Sequence, residues 1–143
     1  MSKLAAENEF LDLSDYGRPI AKLLANWLKN TWLTPIHVTL VFGFCGLIAI
    51  YCIFLNHYIL ASFFIILKSI IDAVDGELAR VKNTPSYVGR YLDSVFDITL
   101  NFLFFMTICY VSKTSFWMSL LAFFCIQLQG TLYNYYYVIL RNK

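Results

Sequence analysis

The sequence predicts an all-α, polytopic transmembrane protein: an N-terminal interfacial amphipathic helix followed by four transmembrane helices. Composition is the first ground. Of 143 residues, 59% are hydrophobic, 18% aromatic and 14% charged, and mean hydropathy is +0.63, values foreign to a soluble globular domain. The second ground is a series of apolar runs of membrane-crossing length divided by short polar turns. The third is where the acidic residues fall. Five of the nine lie between Asp72 and Asp97 and the other four at or before Asp15, so carboxylates stand inside an apolar context, where each needs a counter-charge or partner.

Residues 1–33 read as a cytoplasmic and interfacial segment, and 34–143 as the transmembrane part of the same single domain. The start, MSKLAAENEFLDLSD, lacks the basic residues plus apolar run of a secretory signal. Ile20, Leu23, Leu24, Trp27 and Leu28 then recur at helical spacing, while Lys22, Asn26, Lys29 and Asn30 take the other face. Too charged to cross a bilayer, this helix is expected in the headgroup region, with Pro19 in its first turn and Trp27 and Trp32 as anchors. A soluble helix packed on a partner is the alternative.

Thr34-Pro35 breaks that helix, and His37 to Leu55 is the first expected span. After the Asn56-His57 turn the second span runs from about Tyr58 to Lys82. Asn83-Thr84-Pro85-Ser86 is turn chemistry, because Pro85 lacks an N–H and restricts the residue before it. The third span covers about Tyr87 to Val111 and the fourth about Phe116 to Leu140. In the last, Gln127, Gln129, Gly130 and Asn134 are expected to bond between helices, with a cleft lining as the alternative. Tyr133, Tyr135, Tyr136 and Tyr137 read as an aromatic belt. Cys45, Cys52, Cys109 and Cys125 lie in apolar runs without ligand spacing and are read as buried packing residues.

Lys and Arg near the span ends set the orientation. Lys3, Arg18, Lys22 and Lys29 precede the first span, Arg80, Lys82 and Arg90 surround the second turn, and Arg141 and Lys143 close the chain. The two opposite loops hold only Lys113. Both termini and the acidic region are therefore expected on the cytoplasmic side of the cell (inner) membrane.

Within residues 72–97, Asp72, Asp75, Gly76 and Ala79 line one helix face, and Gly89, Asp93, Asp97 and Asn101 line another. An antiparallel hairpin about Thr84-Pro85 brings Asp72 level with Asp97, and Asp75 within one residue of Asp93, since both helices rise ~1.5 Å per residue. Four facing carboxylates repel one another strongly, and hard divalent cations are the natural remedy. The glycines leave room for a bulky ligand. Lys68, one turn before Asp72, is read as offsetting the carboxylate charge, with snorkelling as the alternative.

Asp72-x-x-Asp75-Gly76-x-x-Ala79-Arg80, eight residues, then Gly89-x-x-x-Asp93-x-x-x-Asp97 resembles the complete motif of the CDP-alcohol phosphotransferase (CDP-alcohol phosphatidyltransferase) family. The resemblance implies a membrane enzyme of phospholipid synthesis that moves a phospho-alcohol, in particular a phosphatidyl, group from a CDP-linked donor such as CDP-diacylglycerol to a small acceptor alcohol, releasing CMP. It implies two divalent ions, Mg2+ or Mn2+, held by Asp72, Asp75, Asp93 and Asp97, with Asp97 also the catalytic base. Gly76, Ala79, Arg80, Ser86, Gly89 and Thr39 would contact the CDP moiety. The implied partners are lipid donor, acceptor alcohol, bilayer and a second copy in a homodimer, with no nucleic acid.

Two features depart from the family pattern. The family has six transmembrane helices, so this chain reads as a fragment lacking the last two, with completion by a neighbouring subunit as the alternative. In Pro35-Ile36-His37-Val38-Thr39, Ile36 stands where the family's PNxxT pattern has Asn. The rival functions are a cation-binding membrane transport protein, since intramembrane carboxylates also mark ion pathways, and an inactive truncated or assembly subunit.

Overall fold

A computed structural model describes residues 18–82 and 87–141. Among them the order is α1 (Arg18–Leu28), α2 (Pro35–Phe54), α3 (Tyr58–Val81), α4 (Tyr87–Ser112) and α5 (Phe116–Arg141). The all-helical class and the bounds of each helix follow the apolar runs closely. The Asn83–Ser86 turn lies outside the described residues.

The number of spans needs correction. Among the described residues three helices are long and apolar enough to cross a membrane, namely Pro35–Phe54, Val88–Ser112 and Phe116–Tyr136. Although α3 has 24 residues, every 18-residue stretch of it contains Lys68, Asp72 and Asp75, and this charge removes it from the set.

Local chemistry sets the ends. Pro35 occupies the first turn of α2, where its missing N–H is no loss, and the Thr34 N–H donates to His37 Nδ1 at 3.3 Å. His37 thus closes the start of α2 while its ring lies edge-on to Trp32. After α2 and α4 the chain turns through left-handed residues, Asn56 (φ 62°) and Lys113 (φ 53°). The amides of His57 and Thr114 reach back to the carbonyls of Cys52 and Cys109 at 2.8 and 3.2 Å, the six-residue closure that ends many helices.

Packing centres on α2. Both α3 and α4 pack against it, α1 packs on α3, and α5 on α4. Among the described residues the backbones of α3 and α4 do not approach closely, so the two arms of the expected antiparallel hairpin stand apart, each against α2, and meet through side chains such as Lys68 and Asp97. The cause is legible in the side chains. The inner faces of α3 and α4 carry carboxylates that repel, whereas α2 offers α4 a seat of two glycines. A β-carbon at Gly43 would lie 3.4 Å from the Phe96 ring, and one at Gly46 only 2.6 Å from Leu100 Cδ1. Small residues at such a crossing let backbones approach closely.

α1 buries Ala21 and Ala25 against Val74 and Leu78 of α3 and leaves Ile20, Leu23 and Trp27 exposed, Trp27 by 84%. Small residues thus face the protein and large apolar ones face outward. Lys82, just past α3, donates to the carbonyls of Thr31 and Leu33 at 2.7 and 2.6 Å and ties the α1–α2 connection to the end of α3.

Two expectations for the far side are corrected. Gln129, Gly130 and Asn134 lie on the exposed face of α5 rather than at a helix seam, because α5 meets α4 through Phe123, stacked edge-on against Phe102. Cys45 and Cys52 are buried, but Cys109 is half-buried and Cys125 exposed, and all four are free thiols.

Leu100 is buried at 2% exposure and cannot swing clear of an added methyl at position 46. Gly46→Ala is therefore expected to cost about 1–3 kcal/mol in thermal unfolding in detergent micelles. Gly43→Ala meets ordinary contact only and should gain up to about 1 kcal/mol of helix propensity.

Candidate active site

The acidic motif divides between two walls. Asp72, Asp75 and Gly76 belong to α3, Gly89, Asp93 and Asp97 to α4, and α2 closes the back with Thr39 and Phe42. Asp75 is within electrostatic reach of Asp72, and Asp93 of Asp75, Asp97 and the Lys68 ammonium. As position falls from 75 to 68 on α3 the facing position rises from 93 to 97 on α4, so the walls run antiparallel, as the spacing predicts.

Two contacts hold the carboxylates in place. The Thr39 hydroxyl, fully buried, lies between the Pro35 carbonyl oxygen at 3.1 Å and Asp75 Oδ2. A hydroxyl has one proton to give, and the carboxylate is the stronger acceptor. Across the gap Lys68 Nζ pairs with Asp97 Oδ1 at 3.0 Å. That ammonium also lies 4.5 Å from the centroid of the Phe42 ring, a favourable position for a cation. Lys68 thus offsets carboxylate charge rather than snorkelling away.

The residues expected at the nucleotide are arranged differently from one another. Gly76 faces open space, with nothing within 4 Å of where a β-carbon would stand. A mid-helix glycine costs about 1 kcal/mol relative to alanine, and no neighbour in the fold requires it. Ala79 and Gly89 are half-buried. Arg80 is exposed and paired with Glu77 Oε2 at 3.1 Å. Thr39 is buried, with its hydroxyl on Asp75 rather than free in the gap. Ser86 lies outside the described residues.

Among the described residues no three His, Cys, Asp or Glu side chains converge closely enough to hold a metal ion as they stand. Thr39 draws Asp75 toward α2 and Lys68 draws Asp97 across the gap. The donor set still suits a hard divalent cation, because it consists of carboxylate oxygens alone, carried on opposed helices that α2 keeps apart. The open space over Gly76 is room that a β-carbon would occupy.

Sequence reasoning missed the link from Thr39 to Asp75. Thr39, Gly43 and Gly46 fall at i, i+4 and i+7 of the first span, a small-residue face that signals a close helix crossing and so marks Thr39 as a residue turned to its neighbours. It also gave no sign that Lys82 would hold the α1–α2 connection.

Residues 32–142 match the model of the CDP-alcohol phosphatidyltransferase family. An archaetidylinositol phosphate synthase from Pyrococcus horikoshii is 34% identical over 70 residues, which are 49% of this chain and 37% of that protein. The matched region thus spans little more than a third of the relative's length.

Thr39→Val removes the hydroxyl proton from Asp75 and leaves a partly buried carboxylate short of a donor. The expected loss is about 1–2 kcal/mol in thermal unfolding, with Thr39→Ser close to the parent.

Proposed function

Because this chain belongs to the CDP-alcohol phosphatidyltransferase family, we propose that it transfers a phospho-alcohol group from a CDP-linked lipid to an acceptor alcohol and releases CMP in phospholipid synthesis. The observation that carries the proposal is the arrangement of Asp75 and Asp93 on opposed helices next to a glycine that faces open space. In this reading Asp72, Asp75, Asp93 and Asp97 hold two divalent ions of the magnesium or manganese kind. When bound, such ions neutralise the diphosphate and the departing phosphate.

The chain's own residues do the rest. Asp97, 56% exposed in its side chain, is open to an incoming hydroxyl and takes its proton. The acceptor oxygen forms a bond to the phosphorus that bears the alcohol group, the bond from that phosphorus to the bridging oxygen breaks, and CMP leaves with the electron pair. Gly76 and Gly89 admit the diphosphate, and Arg80 exchanges Glu77 for a phosphate oxygen, a trade that its exposure permits. Ser86 adds a hydroxyl to the same phosphates. Thr39 acts through Asp75, fixing which oxygen faces the gap. Ala79 lines the approach.

The relative's name points to an inositol phosphate head group, which makes inositol phosphate the first acceptor to assay beside glycerol phosphate, inositol and serine. The distribution of Lys and Arg supports a cytoplasmic site with both termini on that side, and family resemblance supports a homodimer.

The test is CMP release from CDP-diacylglycerol with that acceptor panel. Asp97→Asn is expected to slow release by at least about 100-fold with donor binding retained, and undiminished turnover would remove Asp97 as the base. Gly76→Ala should fold at least as stably as the parent while its KM for the donor rises severalfold. A chelator should abolish turnover, and added Mg2+ or Mn2+ should restore it.

A further inference from the structure

Lys68 belongs to no part of the motif, yet its ammonium spans the acidic gap at the end where Asp97 stands. Its side chain is only 13% exposed, and its ammonium reaches from α3 to Asp97 Oδ1 on α4 at 3.0 Å. It lies against the Phe42 ring and within electrostatic reach of Asp93. A lysine buried this far loses rotamer freedom and hydration, so a partner must offset both losses. Asp97 is that partner.

We propose that Lys68 is a positioning residue that serves as the resident counter-cation of the carboxylate gap, holding Asp97 and competing with divalent metal for it. The inference rests on the metal-bound reading above and extends it to a residue outside the motif. An ammonium and a divalent ion cannot both sit against one carboxylate without repelling each other. Lys68 therefore lowers the gap's affinity for metal while keeping Asp97 aimed across it. Full occupancy then calls for a further anion, and the donor's diphosphate supplies one. Metal and nucleotide are thereby made to bind together.

The test compares Mn2+ binding to the full chain in detergent, by electron paramagnetic resonance and calorimetry, for the parent, Lys68→Met, Lys68→Gln and Lys68→Arg. Without nucleotide, Lys68→Met and Lys68→Gln are expected to bind Mn2+ roughly tenfold more tightly, and Lys68→Arg to stay within about twofold of the parent. In CMP release the two neutral variants should lose kcat with little change in KM for the donor, and Lys68→Arg should restore much of it. Either neutral variant suffices if the other fails to fold. Parent-like or weaker Mn2+ binding by a folded neutral variant overturns the role of Lys68 and leaves the metal reading standing. A parent that binds no Mn2+, with or without CDP-donor, overturns both.

Discussion

Both charged helices depend on one seat. α2 carries a face on which Thr39 meets Asp75 and Gly46 receives Leu100, and this shared surface keeps α3 and α4 at a distance their own side chains could not set. Two helices bearing facing carboxylates have no reason to pack on each other, because each step closer raises repulsion in a medium that screens it poorly. A third helix with small residues removes the need. It brings backbones near on its own flank and leaves the acidic side unfilled.

That arrangement explains how so much charge is tolerated. Asp75 is satisfied by a neutral donor from α2 and Asp97 by an ammonium from α3. The two devices differ in consequence. A buried hydroxyl fixes orientation and leaves the negative charge in place, whereas an ammonium cancels charge and must be displaced or repelled if another cation arrives. The outer faces of α4 and α5, with Ile98, Tyr110, Trp117 and Leu121 exposed, carry no comparable chemistry, as expected of surfaces turned to lipid.

Much of this was legible in the sequence. Apolar length and turn residues located the four long helices to within about two residues, since Pro35, Asn56 and the Ser112–Ser115 run act locally, whereas α1 ends at Leu28, well before the Thr34-Pro35 break. The spacing of Asp72, Asp75, Asp93 and Asp97 also identified the two faces and their antiparallel sense. What local pattern could not reveal was which helices touch. Level pairing of residues says how far along each helix they stand but not what lies between the helices, and here α2 provides the seat. The same blindness hid Thr39, whose partner is 36 positions away, and misplaced the polar residues of α5, whose neighbours on one side only could not be guessed from its own sequence. The charge of α3 was visible from the start, yet helix length was weighed above it.

The small-residue contact of α1 with α3 sets a depth gauge. Val74 and Leu78, which α1 covers, bracket Asp75 and Gly76 in the chain, and Lys82 pins the connection that follows α1. That contact puts α1 and the acidic gap at one level along α3, so the depth that the outward Ile20, Leu23 and Trp27 take in a bilayer is the depth of the gap as well. For the donor proposed above, with a water-loving nucleotide at one end and fatty tails at the other, a gap held at the membrane boundary would let neither half leave its own solvent to reach the aspartates.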